Sequence, residues 1–307
     1  MMRGVLSFLT DPNNYEAKLL RENFVFKVIP MLNPDGVING NYRCSLAGCD
    51  LNRRWKTPSK VLHPTIYHTK KLVKQIHQER GLILFCDLHG HSRKQNVFMY
   101  GCNNKTNPGE TRIFPFILGK MNDYFCFEYS RFGNQKSKEA TARISLYKEL
   151  KTMPNVYTME SSFAGCDEGP AAGKHFTTEM LETLGHDCCR ALLIYCNLYV
   201  PPELADLPYF KGIVARKKQA AAASADNKKA FKEDDKGPSF TDAIMNEFKN
   251  NADLLAQDSD SSSGSESAPS EDNMQAEELV KQLPTVDVTL KKQIKKNQEM
   301  KKKEENN

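Results

Sequence analysis

Two apolar runs with a helical pattern between them constrain the fold of this sequence most. Residues 25–32 form a run rich in β-branched side chains that ends in Asn-Pro-Asp-Gly at 33–36, and residues 82–86 form a second such run. Between them, apolar residues recur at helical spacing over 62–76, which predicts a helix of about 15 residues. Because neighbouring parallel strands are connected by a helical crossover, this order predicts an α/β fold.

Further elements follow this pattern up to about residue 209. Residues 97–100 and 156–159 are predicted strands, and 180–195 carries the apolar face of a closing helix. Thr177 or Thr178 can cap the start of that helix, and Pro201-Pro202 prevents its continuation. The prediction is a mixed, mostly parallel sheet flanked by helices.

The remainder of the chain has a different composition. It contains an Ala/Lys stretch, a Ser/acidic run over 258–267 and a Lys-rich end over 291–303, with few aromatic residues. Such a sequence cannot bury enough apolar surface to form a core. We therefore predict one folded domain over 1–211 and a disordered, low-complexity tail over 212–307.

The composition excludes several classes of protein. Nine cysteines are an odd number and contain no Cys-x-x-Cys pair, so neither a disulfide framework nor a zinc knuckle is predicted, and a reducing compartment is favoured. No stretch approaches the roughly 18 apolar residues of a membrane span, and the N-terminus lacks the apolar region of a signal peptide. We therefore expect a soluble, cytoplasmic protein with no membrane partner. The formal charge of +5 comes partly from the Lys-rich end and favours acidic partners over nucleic acid.

Four polar motifs lie at the predicted strand ends or in the turns that follow them. They are Asn-Pro-Asp-Gly at 33–36, Asn-Tyr-Arg at 41–43, Asp-Leu-Asn-Arg-Arg-Trp at 50–55 and Asp-Leu-His-Gly-His at 87–91. In open α/β sheets, ligands bind outside the carboxyl ends of the strands, so this placement marks a candidate site. Each motif alone is also compatible with a plain turn, a surface pair or a hydrogen-bonded core histidine.

Together, the order and spacing of these motifs resemble the zinc metallocarboxypeptidase family. The segments IPMLNPDGVINGNYRCSLAGCDLNRRW and CDLHGHSRKQNVFMYGC are similar to its cytosolic carboxypeptidase branch, and the resemblance covers residues 1 to about 200. It implies that 1–211 is a catalytic domain of the zinc carboxypeptidase fold, with one Zn²⁺ ion as its cofactor. It also implies removal of C-terminal or branched glutamates from glutamate-rich protein tails, with tubulin and microtubules as the expected partners.

The resemblance assigns the metal and proton-transfer roles to two residues. His89 matches the family's third zinc ligand, and imidazole is a normal zinc donor in hydrolases. Glu160, in the sequence Tyr-Thr-Met-Glu-Ser-Ser, matches the glutamate that takes a proton from the attacking water and passes it to the leaving amine. Without the family, Glu160 is equally compatible with an acid at a strand end that pairs with a lysine.

The same resemblance assigns the contacts with the substrate to four residues. Asn52 and Arg53 match the pair that holds the C-terminal carboxylate of the substrate, a task that suits the planar guanidinium. Arg43 matches the arginine that polarises the scissile carbonyl and stabilises its oxyanion. Arg143 resembles the basic residue of the side-chain pocket, where a cation would select glutamate; without the family it is simply an arginine beside a helix.

The sequence departs from the family at the other two zinc ligands. The family takes them from a His-x-x-Glu motif that precedes a Trp-Met-Met-Arg-Gly stretch, and this sequence begins with Met-Met-Arg-Gly. None of its seven histidines is followed three residues later by a glutamate. Asp50, which in the family orients the first histidine, is present. With two of three ligands absent, through truncation or an incomplete gene model, we expect the chain to be impaired as an enzyme.

Two other functions stay open at this point. The chain could bind glutamate-rich tails through Arg43, Arg53 and Arg143 without cleaving them. Nucleic-acid binding is a more distant alternative, because the basic residues lie mainly in a tail without interleaved aromatic residues.

Overall fold

The computed structural model describes residues 1–151, 153, 155–206, 210–211, 214–215 and 240–255. The chain divides into two compact units. One comprises Met1–Leu32 and Asn52–Asp260, and the other comprises Asn33–Leu51 and Ser261–Asn307. The first unit contains the sheet and most of the helices, and the described part of the second unit is the segment 33–51.

The sheet of the first unit has three strands in the part of the chain that the structure describes. They are β1, Phe85–His91; β2, Val97–Tyr100; and β3, Val156–Ser162, in the spatial order β1-β3-β2. β3 is central, pairs in parallel with β1 and pairs antiparallel with β2. The prediction of a mixed sheet within an α/β fold is confirmed. The prediction was a mostly parallel sheet. Among the described strands, one of the two pairings is parallel and the other is antiparallel.

Eight α-helices with defined bounds accompany the strands in the described ranges. They are α1, Met2–Thr10; α2, Tyr15–Asn23; α3, Pro34–Ile38; α4, Pro64–Arg80; α5, Ile113–Met121; α6, Ala142–Leu150; α7, Thr178–Tyr195; and α8, Phe240–Asn250. α4 is the predicted helix between the two apolar runs, and α7 is the predicted closing helix. Thr177 caps α7 as expected, because its side-chain oxygen accepts a hydrogen bond of 3.2 Å from the backbone N–H of Met180. Among the helices described, none is long and apolar enough to cross a membrane.

The apolar run at 25–32 is not a strand, in contrast to the prediction. No strand among the described residues pairs with it, and three of its apolar side chains are largely exposed: Val25, Ile29 and Met31. A strand needs a neighbour that satisfies its backbone donors and acceptors, and apolar content alone does not supply one. β1 also begins later than the predicted run at 82–86 and extends through the whole Asp-Leu-His-Gly-His motif.

α8 lies inside the range 212–307 that the sequence predicts to be a tail, and it packs on the core. Ile244 and Phe248 are spaced four residues apart on one face, and each is only 1% exposed. The Phe248 ring lies 5.3 Å from that of Phe116, and Gly109 allows close approach, because a Cβ there would be 2.7 Å from the sulfur of Met245. The composition of this range is polar on average, so an apolar spacing confined to one short segment was overlooked. The Ser/acidic run and the Lys-rich end lie outside the described residues.

The crossing of α1 and α7 depends on a glycine. A Cβ added to Gly4 would lie 2.0 Å from the backbone carbonyl oxygen of Glu182, which is a backbone atom and cannot rotate away. We therefore expect Gly4→Ala to lower the free energy of unfolding by about 1–3 kcal/mol, although alanine favours helices. Gly133→Ala is the control, since its Cβ would meet nothing within 4 Å. Denaturant unfolding that gives equal stability for the two variants would contradict this reading of the helix crossing.

Candidate active site

The centre of the candidate site is a pair of side chains on neighbouring strands. His89 of β1 and Glu160 of β3 are direct partners in the parallel register. His89 Nδ1 lies 3.6 Å from Glu160 Oε1, and the Glu160 side chain is only 3% exposed whereas that of His89 is 24% exposed. A buried carboxylate therefore lies beside an imidazole that solvent can reach. Residues 71 positions apart in the sequence meet here because β1 and β3 are adjacent and in register.

Asp87 holds the other side of the His89 ring. Its Oδ2 accepts a hydrogen bond of 3.0 Å from His89 Nε2. Side chains two residues apart in a strand point to the same face, so Asp87 and His89 meet because the motif lies within β1. The apolar run at 82–86 predicts a strand that ends before this motif, and a motif outside the strand indicates no role for Asp87. The Asp-x-His spacing would have indicated the pair if the strand had been extended by five residues, from Cys86 to His91.

His91 has a different role from a metal ligand. Its Nδ1 accepts hydrogen bonds from the backbone N–H groups of Arg93, at 3.2 Å, and Lys94, at 2.9 Å. The ring is nearly buried and lies 5.3 Å from that of Phe98. His91 thus shapes the turn that leads from β1 to β2, and it does not offer Nδ1 to a metal in this arrangement.

His89 is the residue of this chain to which the family resemblance assigns zinc binding. Zinc in hydrolases takes three protein ligands and keeps one position open. Within the described ranges, no group of three or more His, Cys, Asp or Glu side chains is arranged to hold a metal ion. His89 fits as one imidazole donor with Asp87 as its hydrogen-bond partner, an arrangement that is common for zinc-binding histidines.

We therefore expect the 307-residue chain to bind zinc weakly. One imidazole donor gives far less affinity than three protein ligands do. Equilibrium dialysis of the purified chain against Zn²⁺ measures this directly, with His89→Ala as the comparison. One tightly held zinc per chain that is lost in His89→Ala would contradict the expectation and would reveal a ligand set that the sequence does not predict.

Asn52 and Arg53 lie in a short 3₁₀ helix, Leu51–Arg53, which is tied to the start of α6. The side-chain oxygen of Asn52 accepts a hydrogen bond of 2.9 Å from the backbone N–H of Ala142, the first residue of α6. The backbone N–H of Trp55 also donates to the carbonyl of Ala140, at 3.0 Å. The fold therefore fixes the segment that carries Arg53 next to the helix that carries Arg143, 90 residues later in the sequence.

A buried lysine holds the same segment from α4. Lys70 Nζ donates to the carbonyl oxygens of Trp55, at 2.6 Å, and Lys56, at 3.0 Å. It also forms an ion pair of 2.5 Å with Glu149 of α6, and the Lys70 side chain is 10% exposed. This network joins α4, α6 and the Asn52–Arg53 segment. Lys70 is not predictable from the sequence, because an isolated lysine on an amphipathic helix gives no local signal.

Replacing Lys70 by methionine should destabilise the protein. The change leaves two carbonyl groups and Glu149 without their shared donor, so we expect the free energy of unfolding to fall by at least about 2 kcal/mol. Lys74→Met is the matched control: Lys74 pairs with the same carboxylate at 3.1 Å, but its side chain is 47% exposed. Lys74→Met should lower the free energy of unfolding by about 1 kcal/mol or less. Equal losses for the two variants in denaturant unfolding would show that Lys70 is not a central support.

Arg143 is a nearly buried cation. Its Nη1 donates to the backbone carbonyls of Gly101 and of Gly133, the latter at 3.2 Å, and its guanidinium lies 5.8 Å from the Tyr100 ring centroid. Neutral carbonyl oxygens and a ring thus surround it. Arg143 forms no ion pair with a carboxylate of the described residues. A site of this kind attracts an anion, because a buried charge is costly unless it is paired.

Arg43 and Asp50 belong to the segment 33–51 of the second unit. Asp50 Oδ2 accepts a hydrogen bond of 3.2 Å from Arg43 Nη1, and the backbone carbonyl of Arg43 accepts one of 3.3 Å from Asn33. The Asn-Pro-Asp-Gly motif, predicted as a turn, begins α3, because the Asn33 side chain caps it by accepting the N–H of Gly36 at 3.1 Å. Within this unit the Asp50 carboxylate therefore orients the Arg43 guanidinium.

Arg190 lines a cavity of about 610 Å³ beside α7 that contains none of the predicted site residues. Arg190 pairs there with the carboxylates of Glu16, at 2.5 Å, Asp187, at 3.4 Å, and Glu203. Its charge is therefore compensated by groups that join α2, α7 and the segment after α7. This arrangement stabilises the packing of these elements.

Comparison with known proteins agrees with the predicted family and fold. Residues 1–148 match the family model described as zinc carboxypeptidase. The chain is 51% identical over 201 residues to cytosolic carboxypeptidase 2 of Xenopus tropicalis, covering 64% of this chain and 20% of that protein. It is 46% identical over 219 residues to human cytosolic carboxypeptidase 1, covering 66% of this chain and 18% of that protein.

A solved structure shares the fold as well. The metallo-carboxypeptidase of Pseudomonas aeruginosa, in complex with (2-guanidinoethylmercapto)succinic acid, superposes with a TM-score of 0.55 and 26% identity over 64% of this chain and 52% of that one. The present chain spans about a fifth of the length of the two curated relatives, 20% and 18%. Residues 1–148 thus belong to the zinc carboxypeptidase family, and the chain is similar to the cytosolic carboxypeptidases of that family.

Proposed function

We propose that the residues of this chain form the reaction centre and substrate pocket of a zinc-dependent metallocarboxypeptidase that removes C-terminal or branched glutamates from proteins such as tubulin. The observation that carries the proposal is the pairing of His89 with Glu160, whose Nδ1 and Oε1 atoms lie 3.6 Å apart on adjacent strands. The match to the zinc carboxypeptidase family supports an enzyme over a non-catalytic binder of glutamate-rich tails.

Glu160 is the proton carrier in this proposal. Its carboxylate takes a proton from the attacking water and passes it to the nitrogen of the leaving amino acid. Its side chain is only 3% exposed, so bulk solvent is largely excluded from the carboxylate. His89 is the proposed zinc ligand, with Asp87 fixing the orientation of its ring through the bond of 3.0 Å.

Four residues bind the substrate in the proposal. Asn52 and Arg53 hold the C-terminal carboxylate, and their attachment to the start of α6 keeps them at a fixed position relative to Arg143. Arg143 receives the side-chain carboxylate of glutamate, since it has no carboxylate partner in the described part of the protein. Arg43 polarises the scissile carbonyl, a role that it takes from the resemblance to the family.

Substrates with several carboxylates near a free C-terminus suit these cations. Glutamate-rich tails of cytoplasmic proteins have this chemistry, and tubulin is the example that the resemblance suggests. Cytoplasmic location is part of the proposal, supported by the names of the cytosolic carboxypeptidase relatives.

The test uses an extended protein in which the His-x-x-Glu segment of a cytosolic carboxypeptidase relative is joined ahead of Met1. This extended protein is incubated with zinc and with three peptides that end in a glutamate chain, a branch-point glutamate or leucine. Mass spectrometry should show loss of glutamate from the first or second peptide and little loss of leucine from the third. Equal release from all three would refute the proposed substrate class.

A further inference from the structure

Two aromatic rings on β2 carry cations beside the candidate site. Lys94 Nζ lies 5.0 Å from the ring centroid of Phe98 and 5.9 Å from that of Tyr100, and the Arg143 guanidinium lies 5.8 Å from the Tyr100 centroid. The two rings themselves are 5.5 Å apart. Lys94 and Arg143, from separate parts of the chain, thus both lie within 6 Å of the Tyr100 ring centroid.

This pair lies on the same face of the sheet as the candidate reaction centre. Phe98 is the direct partner of Glu160 in the antiparallel register, and Tyr100 is the partner of Thr158. Side chains of directly paired residues project to the same face, so the cations lie over the face that carries Glu160 and His89. Lys94 lies over the ring of Phe98, the strand partner of Glu160. Arg143 lies beside the ring of Tyr100, two residues further along β2.

The positive charge of this cluster is not compensated within the described residues. Lys94 Nζ donates to the backbone carbonyl of Tyr129 at 3.5 Å and pairs with no carboxylate there. Nearby Arg131 donates to the carbonyls of Glu128 and Ser130, at 2.6 and 2.7 Å, and it too forms no carboxylate ion pair in the described ranges. Burial, and then the charge of Arg131, lower the pKa of the Lys94 ammonium.

A half-buried lysine without a counter-ion needs an explanation. A purely structural lysine is usually paired, as Lys70 is with Glu149 at 2.5 Å. Lys94 and Arg131 are close enough for the charge of one to disfavour that of the other, and this cost is offset when an anion binds between them and Arg143. The surroundings therefore fit an acidic ligand.

We propose that Lys94 is a second carboxylate-binding residue next to Arg143, so that the subsite beside Glu160 holds the acidic side chain of the terminal substrate residue with two cations. The inference rests on the proposed function, because it assigns a further specificity-determining residue to that same site. Lys94 adds charge at the ring of Phe98, the strand partner of Glu160, and Arg143 provides it at the ring of Tyr100. The recognised group is the carboxylate of a glutamate at a free C-terminus.

Titration of the full 307-residue chain, with zinc withheld, separates this role from simple packing on Phe98. Two peptides are compared that differ only in ending in glutamate or in glutamine, which has the same shape without the charge. We expect the chain to prefer the glutamate peptide, and Lys94→Met to weaken binding of that peptide by about 10-fold while changing binding of the glutamine peptide little. Lys94→Arg should retain the preference. Lys71→Met, which removes an exposed charge from α4, is the matched control and should leave it unchanged.

The possible results are distinguishable. If Lys94→Met weakens binding of both peptides equally, or leaves the preference for the glutamate peptide intact, Lys94 is a packing residue. The inference is then wrong, and the proposed function stands. If the unaltered chain shows no preference for glutamate over glutamine, or binds neither peptide, the proposed substrate class and the inference fail together.

Discussion

Replacing Glu160 by glutamine should lower peptide turnover by the extended protein by about 10²–10⁴-fold, the usual contribution of a positioned general acid–base residue. Glutamine keeps the size of the side chain and removes its ability to accept the proton. The side chain is only 3% exposed, so a water molecule from bulk solvent cannot take over its role in proton transfer. Turnover is measured as glutamate released from a glutamate-ended peptide at saturating zinc.

Glu168→Gln is the control for this variant. Glu168 is an exposed acid eight residues further along the chain, so its replacement removes the same charge and should leave turnover unchanged. Peptide affinity should be similar in the Glu160→Gln variant and the unaltered protein, because Glu160 acts in the chemical step. If Glu160→Gln retained more than about a tenth of the turnover, Glu160 would not be the proton carrier.

Replacing Arg143 and Arg53 should damage the enzyme in different ways. Arg143→Met should lower kcat/KM for glutamate-ended peptides by at least about 10-fold, equivalent to about 1.4 kcal/mol, and narrow the gap to peptides that end in leucine. Arg53→Ala should lower kcat/KM for all peptides alike, because every C-terminus carries the carboxylate that Arg53 is proposed to hold. The ratio of kcat/KM for glutamate-ended peptides to kcat/KM for leucine-ended peptides therefore separates the roles of Arg143 and Arg53.

The Arg143 variant also loses contacts with Gly101 and Gly133, so its folding must be checked separately. Thermal unfolding measures that loss, and the glutamate-to-leucine ratio is independent of the fraction of active protein. An unchanged ratio in Arg143→Met would show that Arg143 does not select glutamate and would leave the selection to Lys94, already proposed above, or to Arg93.

Local patterns in the sequence are sufficient to predict much of the fold. The helical spacing before β1 predicts α4, and the Thr cap with the apolar face predicts α7, because both signals lie within one element. β2 is predicted with its bounds unchanged, 97–100. The run at 25–32 was wrong as a strand, since strand formation depends on a partner that the local pattern does not reveal.

The candidate site is less visible in the sequence than the fold. His89 and Glu160 were selected through motifs, but their pairing depends on the register of β1 and β3, and register is a property of two strands together. Asp87 lies in the Asp-Leu-His-Gly-His motif, and its contact with His89 becomes predictable only when β1 extends through that motif. Lys70 lies in none of the motifs, and Lys94 lies in a segment that carries the resemblance but assigns it no role; the surroundings of both come from contacts with α6 and β2.

We expect His89 and Glu160 to belong to the reaction centre of a zinc carboxypeptidase. The most direct test is the amount of free glutamate released from a glutamate-ended peptide by the extended protein as zinc is added, compared with the His89→Ala variant. Release should rise with zinc, stop when a chelator removes the metal, and fall below detection in His89→Ala at the same zinc concentrations. Glutamate release by His89→Ala equal to that of the unaltered extended protein would show that His89 is not part of the reaction centre.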